Sequence, residues 1–402
     1  MNDWVYLDNN ATTAVAAEVR EAMLPFLGER YGNPSSMHSF GGMIGRELKR
    51  AREHVAALIG ADPQEIIFTS CGTEGDNTAI MGSLWAQPTK RRVVTTRVEH
   101  PAVRTLCRRL SKDGYDVYEL HVDRDGMLNL DEVRESITDD TAVVSVMHAN
   151  NETGVVFPIA EIAAICRDRG VRFHTDAVQS VGKLPIDVHA LGVDLLTLSG
   201  HKLHAPKGIG ALYVKRGLHL QPLIIGGHQE HGRRGGTENV PSIVGLGTAC
   251  ELALQNLDEE NKRVRGLRDR LESELLRRAP NSLVNGHPEN RLPNTCNISF
   301  EYVEGEAILL LLSQAHIAAS SGSACTSGSL EPSHVLRAMG VPYTAAHGSV
   351  RFSFSVYNKD EDVDRVIESL PPIIHRLREL SPFGPDKDNS WAFEASCHTH
   401  SH

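Results

Sequence analysis

The apolar residues of this chain fall into short runs, and polar turns that contain glycine, asparagine or serine separate these runs. Short apolar runs with turn-forming residues on both sides are typical of buried strands. On this basis we predict strands at residues 65–69, 92–96, 142–147, 171–174, 194–198 and 209–214.

Apolar residues at helical spacing lie between most of these strands. We predict helices at residues 18–27, 45–59, 101–112 and 159–169. A regular alternation of strand and helix is typical of a mostly parallel sheet that carries helices on both faces. The predicted fold class is therefore α/β.

The last third of the chain has a different pattern. Residues 257–278 form one long predicted helix with mixed charges, and further strands are predicted at 294–300, 317–320 and 349–355. A single core stops growing at about 250–300 residues, and this chain has 402. We therefore expect a second, smaller α+β domain.

Chemically useful side chains follow five of the predicted strands. Because ligands bind at the carboxyl ends of parallel strands, these side chains are candidates for one site. The first strand leads into Gly72 and Thr73, where the N–H groups that open a helix suit a phosphate. The other four strand ends supply His100, Asn151, Asp176 with Gln179, and Ser199 with His201 and Lys202. Each of them alone also fits a turn, a helix cap or an exposed loop residue.

Together these groups match the needs of pyridoxal 5'-phosphate. That cofactor requires a lysine for its aldehyde, a carboxylate for its pyridine nitrogen and a cradle for its phosphate. Lys202 would lose solvation at the end of a buried strand, which favours the neutral, nucleophilic amine. The sequence therefore predicts a Schiff-base lysine at position 202.

Nine motifs also resemble one known family over residues 4–370. They are similar to motifs of the NifS/IscS cysteine desulfurases of the class V aminotransferase superfamily, and VEHPAV, NNETG and GHQEHGRRGGTEN are closer to the NifS branch. The motifs are YLDNNATT, NPSS, FTSCGTE, EHPAV, NNETG, HTDAVQ, SGHKLHAPKG, RRGGTEN and SSGSACTSGSLEPS.

The resemblance implies a homodimeric, fold-type I pyridoxal-phosphate transferase. It implies a large domain at residues 15–256 and a small domain made of 1–14 and 257–380. The tail at 381–402 falls outside the resemblance and loses periodicity, which predicts a flexible segment. The resemblance also implies a set of roles for the matching residues. Lys202 would bind the aldehyde, Asp176 the pyridine nitrogen and Gln179 the ring oxygen, while His100 would stack on the ring and relay protons. The phosphate would be surrounded by Gly72, Thr73, Ser199 and His201 of one subunit and by Thr237 of the second subunit. Asn151 would lie beside cofactor and substrate, and Arg351 would bind the substrate carboxylate.

Cys325 lies in a segment, 320–329, that is small, polar and rich in serine and glycine. Such a segment has little to anchor it in a core, so its thiol could reach a substrate and carry a product outward. An inert loop cysteine is the alternative. The resemblance implies that Cys325 takes sulfur as a persulfide, and a brief contact with an iron–sulfur cluster during transfer is a further expectation.

The function implied is the conversion of L-cysteine to L-alanine, with sulfur passed to a NifU-type scaffold for the iron–sulfur clusters of nitrogenase. Three alternatives stay open: a housekeeping IscS-like desulfurase, a selenocysteine lyase or aminotransferase of the same superfamily, and an assembly platform without catalysis. A Cys325→Ala variant separates the lyase from the desulfurase, because the lyase does not require that thiol.

Charge and composition exclude some classes of binding partner. A net charge of −10 and an isoelectric point near 6.1 argue against nucleic acid or an anionic membrane as a partner. The N-terminus lacks a signal-peptide pattern and no apolar stretch approaches the ~18 residues of a membrane span, so we expect a cytoplasmic protein. The seven cysteines show no paired spacing, which predicts reduced thiols. The histidine-rich end, 397–402, predicts adventitious metal binding at most.

Overall fold

The computed structural model describes residues 3–321 and 332–384. Numbered in chain order, the strands of this part of the chain are β1 (Val5–Tyr6), β2 (Ile66–Thr69), β3 (Arg92–Thr96), β4 (Asp116–Leu120), β5 (Thr141–Ser145), β6 (Arg172–Asp176), β7 (Leu195–Ser199), β8 (Gly210–Val214), β9 (Ser282–Val284), β10 (Thr295–Phe300), β11 (Ile317–Ala318) and β12 (Ser349–Ser353). The α-helices of the same residues are α1 (Ala17–Met23), α2 (Ser39–Ile59), α3 (Gly72–Trp85), α4 (Pro101–Lys112), α5 (Leu130–Ser136), α6 (Ile159–Asp168), α7 (Val188–Leu191), α8 (Val240–Arg278), α9 (Gly305–Gln314), α10 (His334–Ala338), α11 (Tyr343–His347) and α12 (Asp360–Leu380).

Seven strands form one sheet in the order β2-β8-β7-β6-β5-β3-β4. β8 runs antiparallel to both of its neighbours, and the other pairs are parallel. The central strands are apolar on both faces because helices cover both faces. The predicted α/β class with a mostly parallel sheet is therefore confirmed.

Successive residues of each strand pack on opposite sides of this sheet, as the pleat requires. In β2, Ile66 and Phe68 lie in the core under α2, α5, α6 and the first half of α8. Ile67 lies on the other face, where α3 and α4 pack. The sheet thus separates two apolar layers, and its carboxyl edge stays open between them.

A second core belongs to the smaller sheets. β12, β10 and β9 form an antiparallel sheet, and β1 pairs with β11 in parallel. Val5 and Leu7, near the start of the chain, are buried in this core together with side chains of α9 and α12. The N-terminal segment therefore packs with the C-terminal part of the chain.

Helix α8 runs through both cores without a break. The predicted division at residue 256 falls inside it, between Ala253, which packs on the first core, and Val264, which lies in the second. The predicted helix 257–278 is the second half of this element. Residues 335–346, which include most of α10 and most of α11, pack against the first core rather than the second.

Two differences from the predicted elements have physical causes. β4 was not predicted, because it is an edge strand whose sequence DVYEL carries two charges and has no fully apolar run. Helix α2 begins at Ser39 rather than 45, since His38 caps it by accepting a hydrogen bond from the N–H of Gly41. Gly41 allows a close approach, as a Cβ there would lie 2.4 Å from the Asn33 carbonyl oxygen.

Within the described residues, the helices are too short or too polar to cross a membrane.

Candidate active site

The carboxyl ends of β2, β3, β5, β6 and β7 meet at one edge of the large sheet, which we call the strand edge. The predicted order of polar groups is found there: α3 begins after β2, His100 follows β3, and Asp176 ends β6. Ser199 ends β7, and a short 3₁₀ turn, Gly200–Lys202, follows it. The sequence prediction that these groups share one edge agrees with the structure.

Lys202 is half-buried and points at the N-terminal segment. Its Nζ donates hydrogen bonds to the carbonyl oxygens of Asn10, at 2.5 Å, and Ala11, at 2.6 Å. The same carbonyl of Asn10 accepts from Nε2 of Gln179 at 3.0 Å. The lysine is thus held in place by backbone oxygens from the small-domain side, and it is not an exposed loop residue.

Asp176 is the buried carboxylate of the site. One oxygen, Oδ1, accepts from the N–H of Val178 at 2.9 Å. Burial raises the pKa of Asp176 to about 6, while the Val178 hydrogen bond and the charge of Lys202 act in the opposite direction. The second oxygen can therefore accept from a cationic N–H, such as that of a pyridine ring.

His100 caps helix α4, as one alternative interpretation expected. Its Nδ1 accepts from the N–H of Ala102 at 3.2 Å, so the proton of the neutral ring sits on Nε2. Burial, together with the charges of Lys202 and His334, lowers the pKa of His100 to about 4. The imidazole is therefore neutral at physiological pH and can take up a proton.

Several groups at the start of α3 are suited to a phosphate. Helix α3 begins at Gly72 with no side-chain cap at Cys71, and Thr73 is exposed in its first turn. The Ser199 hydroxyl is buried and has no hydrogen-bond partner among the described residues. Nδ1 of His201 lies 3.2 Å from the Thr12 hydroxyl. Free helix N–H groups and an unpaired buried hydroxyl form a cradle that an anion would complete.

These observations test whether the residues fit pyridoxal phosphate. The unpaired Ser199 hydroxyl and the uncapped helix match the phosphate, and Asp176 with Lys202 match the ring nitrogen and the aldehyde. The side-chain oxygen of Gln179 is also buried without a partner in the described part of the chain. The donor and acceptor set therefore fits that cofactor.

Arg351 lies on β12 and approaches the site from the small sheet. Its Nη2 donates to the Asp8 carboxylate at 2.7 Å and its Nη1 to the Asn151 carbonyl at 2.9 Å. Its Nε is buried without a partner among the described residues. We call Arg351, Asp8 and the Asn151 carbonyl the arginine cluster. Arg351 thus already forms an ion pair with Asp8, while its Nε–H is left for another acceptor.

Two predicted residues lie apart from this geometry. Cys325 is outside the described residues. Thr237 is exposed and lines a cavity of about 210 Å³ with Ser70 and Arg234, on a loop that an Arg234–Glu74 ion pair ties to α3. Thr237 therefore lies on the surface of this chain and not beside Lys202.

The residues that flank the segment of Cys325 are tied to the site. Ser320 and Arg351 exchange backbone hydrogen bonds, which makes an antiparallel bridge. On the other flank, Ser333 donates to the buried Glu152 carboxylate, and Nε2 of His334 lies 3.0 Å from the Glu99 carbonyl oxygen. One flank therefore contacts Arg351 itself. The other flank contacts Glu152 and Glu99, which are the sequence neighbours of Asn151 and His100.

Sequence reasoning missed several of these groups. Asp8 and Asn10 were not predicted as site residues, although they belong to a run of polar residues, DNN, that follows an apolar stretch. Glu99 and Glu152 are buried acids, and each directly adjoins a predicted site residue. A charged residue next to a candidate catalytic residue was the available signal for both.

Comparisons with known proteins agree with the predicted resemblance. The sequence profile of the family described as Aminotransferase class-V matches residues 5–366. The cysteine desulfurase NifS of Azotobacter vinelandii is 59% identical over 394 residues, 97% of this chain and 98% of that protein. A cysteine desulfurase of Trichormus azollae is 60% identical over 383 residues, 95% of this chain and 96% of that protein.

Solved structures give the same picture. A structure titled NifS-like protein has a TM-score of 0.87 at 38% identity, and the alignment covers 93% of this chain and 100% of that one. SspA in complex with cysteine has a TM-score of 0.78 at 36% identity, covering 88% of this chain and 99% of that one. The fold described above is thus shared with both proteins over most of their length.

Proposed function

Because this chain belongs to the class-V aminotransferase family and is a cysteine desulfurase within it, we propose that it binds pyridoxal 5'-phosphate at the strand edge and converts L-cysteine to L-alanine there. Sulfur would leave as a persulfide on Cys325. The observation that supports this proposal best is the convergence of Lys202, the Asp176 carboxylate and the unpaired Ser199 hydroxyl at one edge.

The proposed cofactor contacts follow from the donors and acceptors at that edge. Lys202 would bind the aldehyde and Asp176 the ring nitrogen, while Gln179 would donate to the ring oxygen through the second N–H of Nε2, whose first N–H is bonded to the Asn10 carbonyl. The phosphate would lie at Gly72, Thr73, Ser199 and His201. When bound, pyridoxal phosphate would supply an aldehyde for the substrate amine and a protonated ring able to withdraw electrons from the substrate Cα.

The arginine cluster would bind the substrate carboxylate. Arg351 is 2% exposed, so an anion beside it meets a poorly hydrated charge and a strong interaction. Its unpaired Nε and the side chain of Asn151 would orient the substrate so that its Cα faces Lys202. Asp8 already occupies Nη2, and the substrate would have to share or displace that contact.

Proton movements are assigned to two side chains. The amine of Lys202, once released from the aldehyde, would take the proton of the substrate Cα. His100, whose low pKa keeps it neutral, would accept a proton and return it when alanine forms. The thiolate of Cys325 would attack the substrate sulfur, forming an S–S bond as the C–S bond breaks and its electron pair goes to the substrate carbon.

The first experiment is to add L-cysteine and a reductant to the purified holoprotein and to quantify alanine and sulfide. We expect equal amounts from the wild type and neither from Cys325→Ala, while the cofactor's visible absorption band survives in that variant. Cys397→Ser is the matched control, since Cys397 lies outside the family resemblance. Full turnover by Cys325→Ala would favour a lyase that needs no protein thiol, and no turnover by any variant would favour an assembly platform.

The proposed partners are a second copy of this chain and a NifU-type scaffold, and the proposed compartment is the cytoplasm. Exposed apolar side chains on residues 24–43 support a dimer, among them Leu27 at 67% and Tyr31 at 77% exposure. In that dimer, Thr237 of one copy would reach the phosphate of the other. Light scattering of the purified chain tests the dimer.

The nitrogenase role is tested by competition between scaffolds. Cluster assembly on a NifU-type protein should be faster than on an IscU-type protein when this chain is the sulfur source. Equal rates, or a gene location away from nitrogenase genes, would favour the housekeeping alternative.

A further inference from the structure

Three acidic side chains are buried together beneath the strand edge, and the proposed function uses one of them. Asp176 is 5% exposed, Asp76 on α3 is 1% exposed, and Glu99 is fully buried. The charge of Asp176 raises the pKa of both Asp76 and Glu99, which places the three groups within electrostatic reach of one another. Three such carboxylates cannot all be ionised at modest cost.

Asp76 has a defined set of neighbours on the strands below it. Its Oδ1 has no hydrogen-bond partner among the described residues and lies 3.6 Å from Nε2 of His174. His174 is completely buried, with Nε2 3.0 Å from the Thr197 hydroxyl and Nδ1 2.9 Å from the Ser145 hydroxyl. Thr197 is in turn the β7 residue paired with Asp176 in the sheet. Asp76 therefore sits over a polar row that leads to Asp176.

The surroundings of Asp176 and Asp76 indicate which of the two carries the negative charge. Asp176 accepts a backbone hydrogen bond and lies near the charge of Lys202. Asp76 has neither, and His174 does not neutralise it, because burial lowers the pKa of His174 to about 3. Burial and the charge of Asp176, followed by the charges of Glu99 and Cys71, raise the pKa of Asp76 well above its usual value, although a hydrogen bond with the Thr197 side chain acts in the opposite direction. Asp76 should therefore keep its proton.

Glu99 supports the same distribution. One of its oxygens accepts from the Thr96 hydroxyl and the Met147 N–H, and the other is buried without a partner in the described part of the chain. Burial and the charge of Asp176 raise the pKa of Glu99 to about 8, against the effect of those two hydrogen bonds. Two of the three acids are thus neutral near physiological pH.

We propose that Asp76 is a positioning residue that stays an uncharged acid, holds the Thr197–His174 row in place and leaves Asp176 as the single carboxylate beneath the cofactor ring. This inference rests on the proposed function, because it assigns Asp176 to the ring nitrogen. A neutral Asp76 supplies an O–H donor that an asparagine N–H can replace. An ionised Asp76 would instead compete with Asp176 for positive charge.

The direct test is infrared difference spectroscopy of wild type against Asp76→Asn at neutral pH. We expect the wild type to show the carbonyl stretch of a protonated carboxylic acid that the variant lacks, and Glu99→Gln should remove a second such band. Absence of any protonated-acid band attributable to Asp76 would overturn the proposal. This measurement uses the protein with or without cofactor, so it is independent of the proposed reaction.

Cofactor binding tests the positioning role. Asp76→Asn should bind pyridoxal phosphate within about threefold of wild type, whereas Asp76→Ala, which removes the donor, should bind about tenfold more weakly. Equal binding by wild type and Asp76→Ala would remove the positioning role. Binding by Asp76→Asn as poor as that of Asp176→Asn would mean that the charge of Asp76 is needed. If wild type itself fails to bind, the proposed function fails while the infrared result still stands.

The pH dependence of stability gives a second, cofactor-free readout. A group whose pKa is raised by folding stabilises the folded state at low pH and loses that contribution as pH rises through the folded pKa. The cofactor-free wild type should therefore lose stability more steeply than Asp76→Asn as pH rises from the usual aspartate pKa of 3.8 to the raised pKa of folded Asp76. Identical profiles would show that folding does not raise the pKa of Asp76, and the proposal would be wrong.

Discussion

The strand edge and the arginine cluster border the same site, but their polar groups are in opposite states. At the strand edge the Ser199 hydroxyl and the side-chain oxygen of Gln179 have no partners within the described residues, and α3 begins without a cap. In the arginine cluster, Arg351 is already paired with Asp8 and with the Asn151 carbonyl. The edge is therefore prepared for a ligand, whereas the cluster must exchange one partner for another.

The difference has an energetic meaning. An unpaired buried polar group destabilises the protein that carries it, by about 1–3 kcal/mol, and a ligand that pairs it recovers that free energy. Binding of an anion at a buried ion pair that must open yields less free energy, because the anion replaces an interaction that already exists. We expect tight binding at the edge and readily reversible binding at the cluster, as suits a resident cofactor and a transient substrate.

The largest effect is expected at Lys202. Lys202→Ala removes both the aldehyde-binding amine and the proposed base, so alanine formation should fall by about 10³-fold or more. The measurement is alanine production per mole of folded protein. Lys207→Ala is the matched control, since Lys207 is exposed on the same loop. Retention of more than a tenth of the activity by Lys202→Ala would contradict the assigned role.

The second largest effect is expected in the arginine cluster, where variants of Arg351 and Asp8 should change the KM for cysteine in opposite directions. Arg351→Lys loses the fork of donors, so the KM for cysteine should rise about 10–100-fold with a smaller change in kcat. Asp8→Asn should do the reverse and lower KM about two- to fivefold, because it frees Nη2 for the substrate. A rise of KM in Asp8→Asn would mean that Asp8 orients the arginine rather than competing with the substrate.

A smaller effect, with opposite signs in two assays, is expected at Ser199. Ser199→Ala should bind pyridoxal phosphate about tenfold more weakly, as one phosphate donor is lost. The cofactor-free variant should be as stable as wild type or slightly more so, because the unpaired buried hydroxyl is gone. Thermal unfolding with and without cofactor measures both. A destabilised cofactor-free Ser199→Ala would show that the hydroxyl already has a partner.

The smallest effect concerns stability at acid pH. Burial lowers the pKa of His148, whose Nδ1 lies 2.9 Å from the Ser180 hydroxyl, to about 4 from the usual 6.5. A group whose pKa is lowered by folding costs stability as pH falls from its unfolded value towards its folded value. His148→Gln should therefore lose on the order of 2 kcal/mol less than wild type between those pH values. Urea unfolding at several pH values measures this, with the exposed His375→Gln as control.

Local patterns predicted the elements well where the pattern was complete. Strand β3 and helix α4 have the predicted bounds, and Pro101 marks the start of that helix. The order of Asp176, Ser199 and Lys202 at one edge followed from the parallel sheet alone. Asp176 and Ser199 proved to be the last residues of their strands, although the predicted strands ended at residues 174 and 198.

Contacts between distant parts of the chain could not be predicted. The Arg351–Asp8 ion pair joins residues 343 positions apart, and no local pattern indicates it. The burial of Asp76 depends on the packing of α3 over β6 and β7, since the first turns of an isolated helix would expose such a residue. Family resemblance assigned roles to single residues, but it did not indicate which of their polar atoms are paired.

The parallel pairing of Val5 with Ile317 has a consequence for synthesis on the ribosome. The segment that places Asn10 over Lys202 has no strand partner until more than 300 further residues have been made, which at about 5–20 residues per second takes on the order of tens of seconds. The large sheet can fold during that interval, because its last strand ends at Val214. The pairing of β1 with β11 therefore forms late in the life of the nascent chain, and a product terminated before Ile317 would lack it, whereas the partners of residues 10–16 at positions 179–204 are made much earlier.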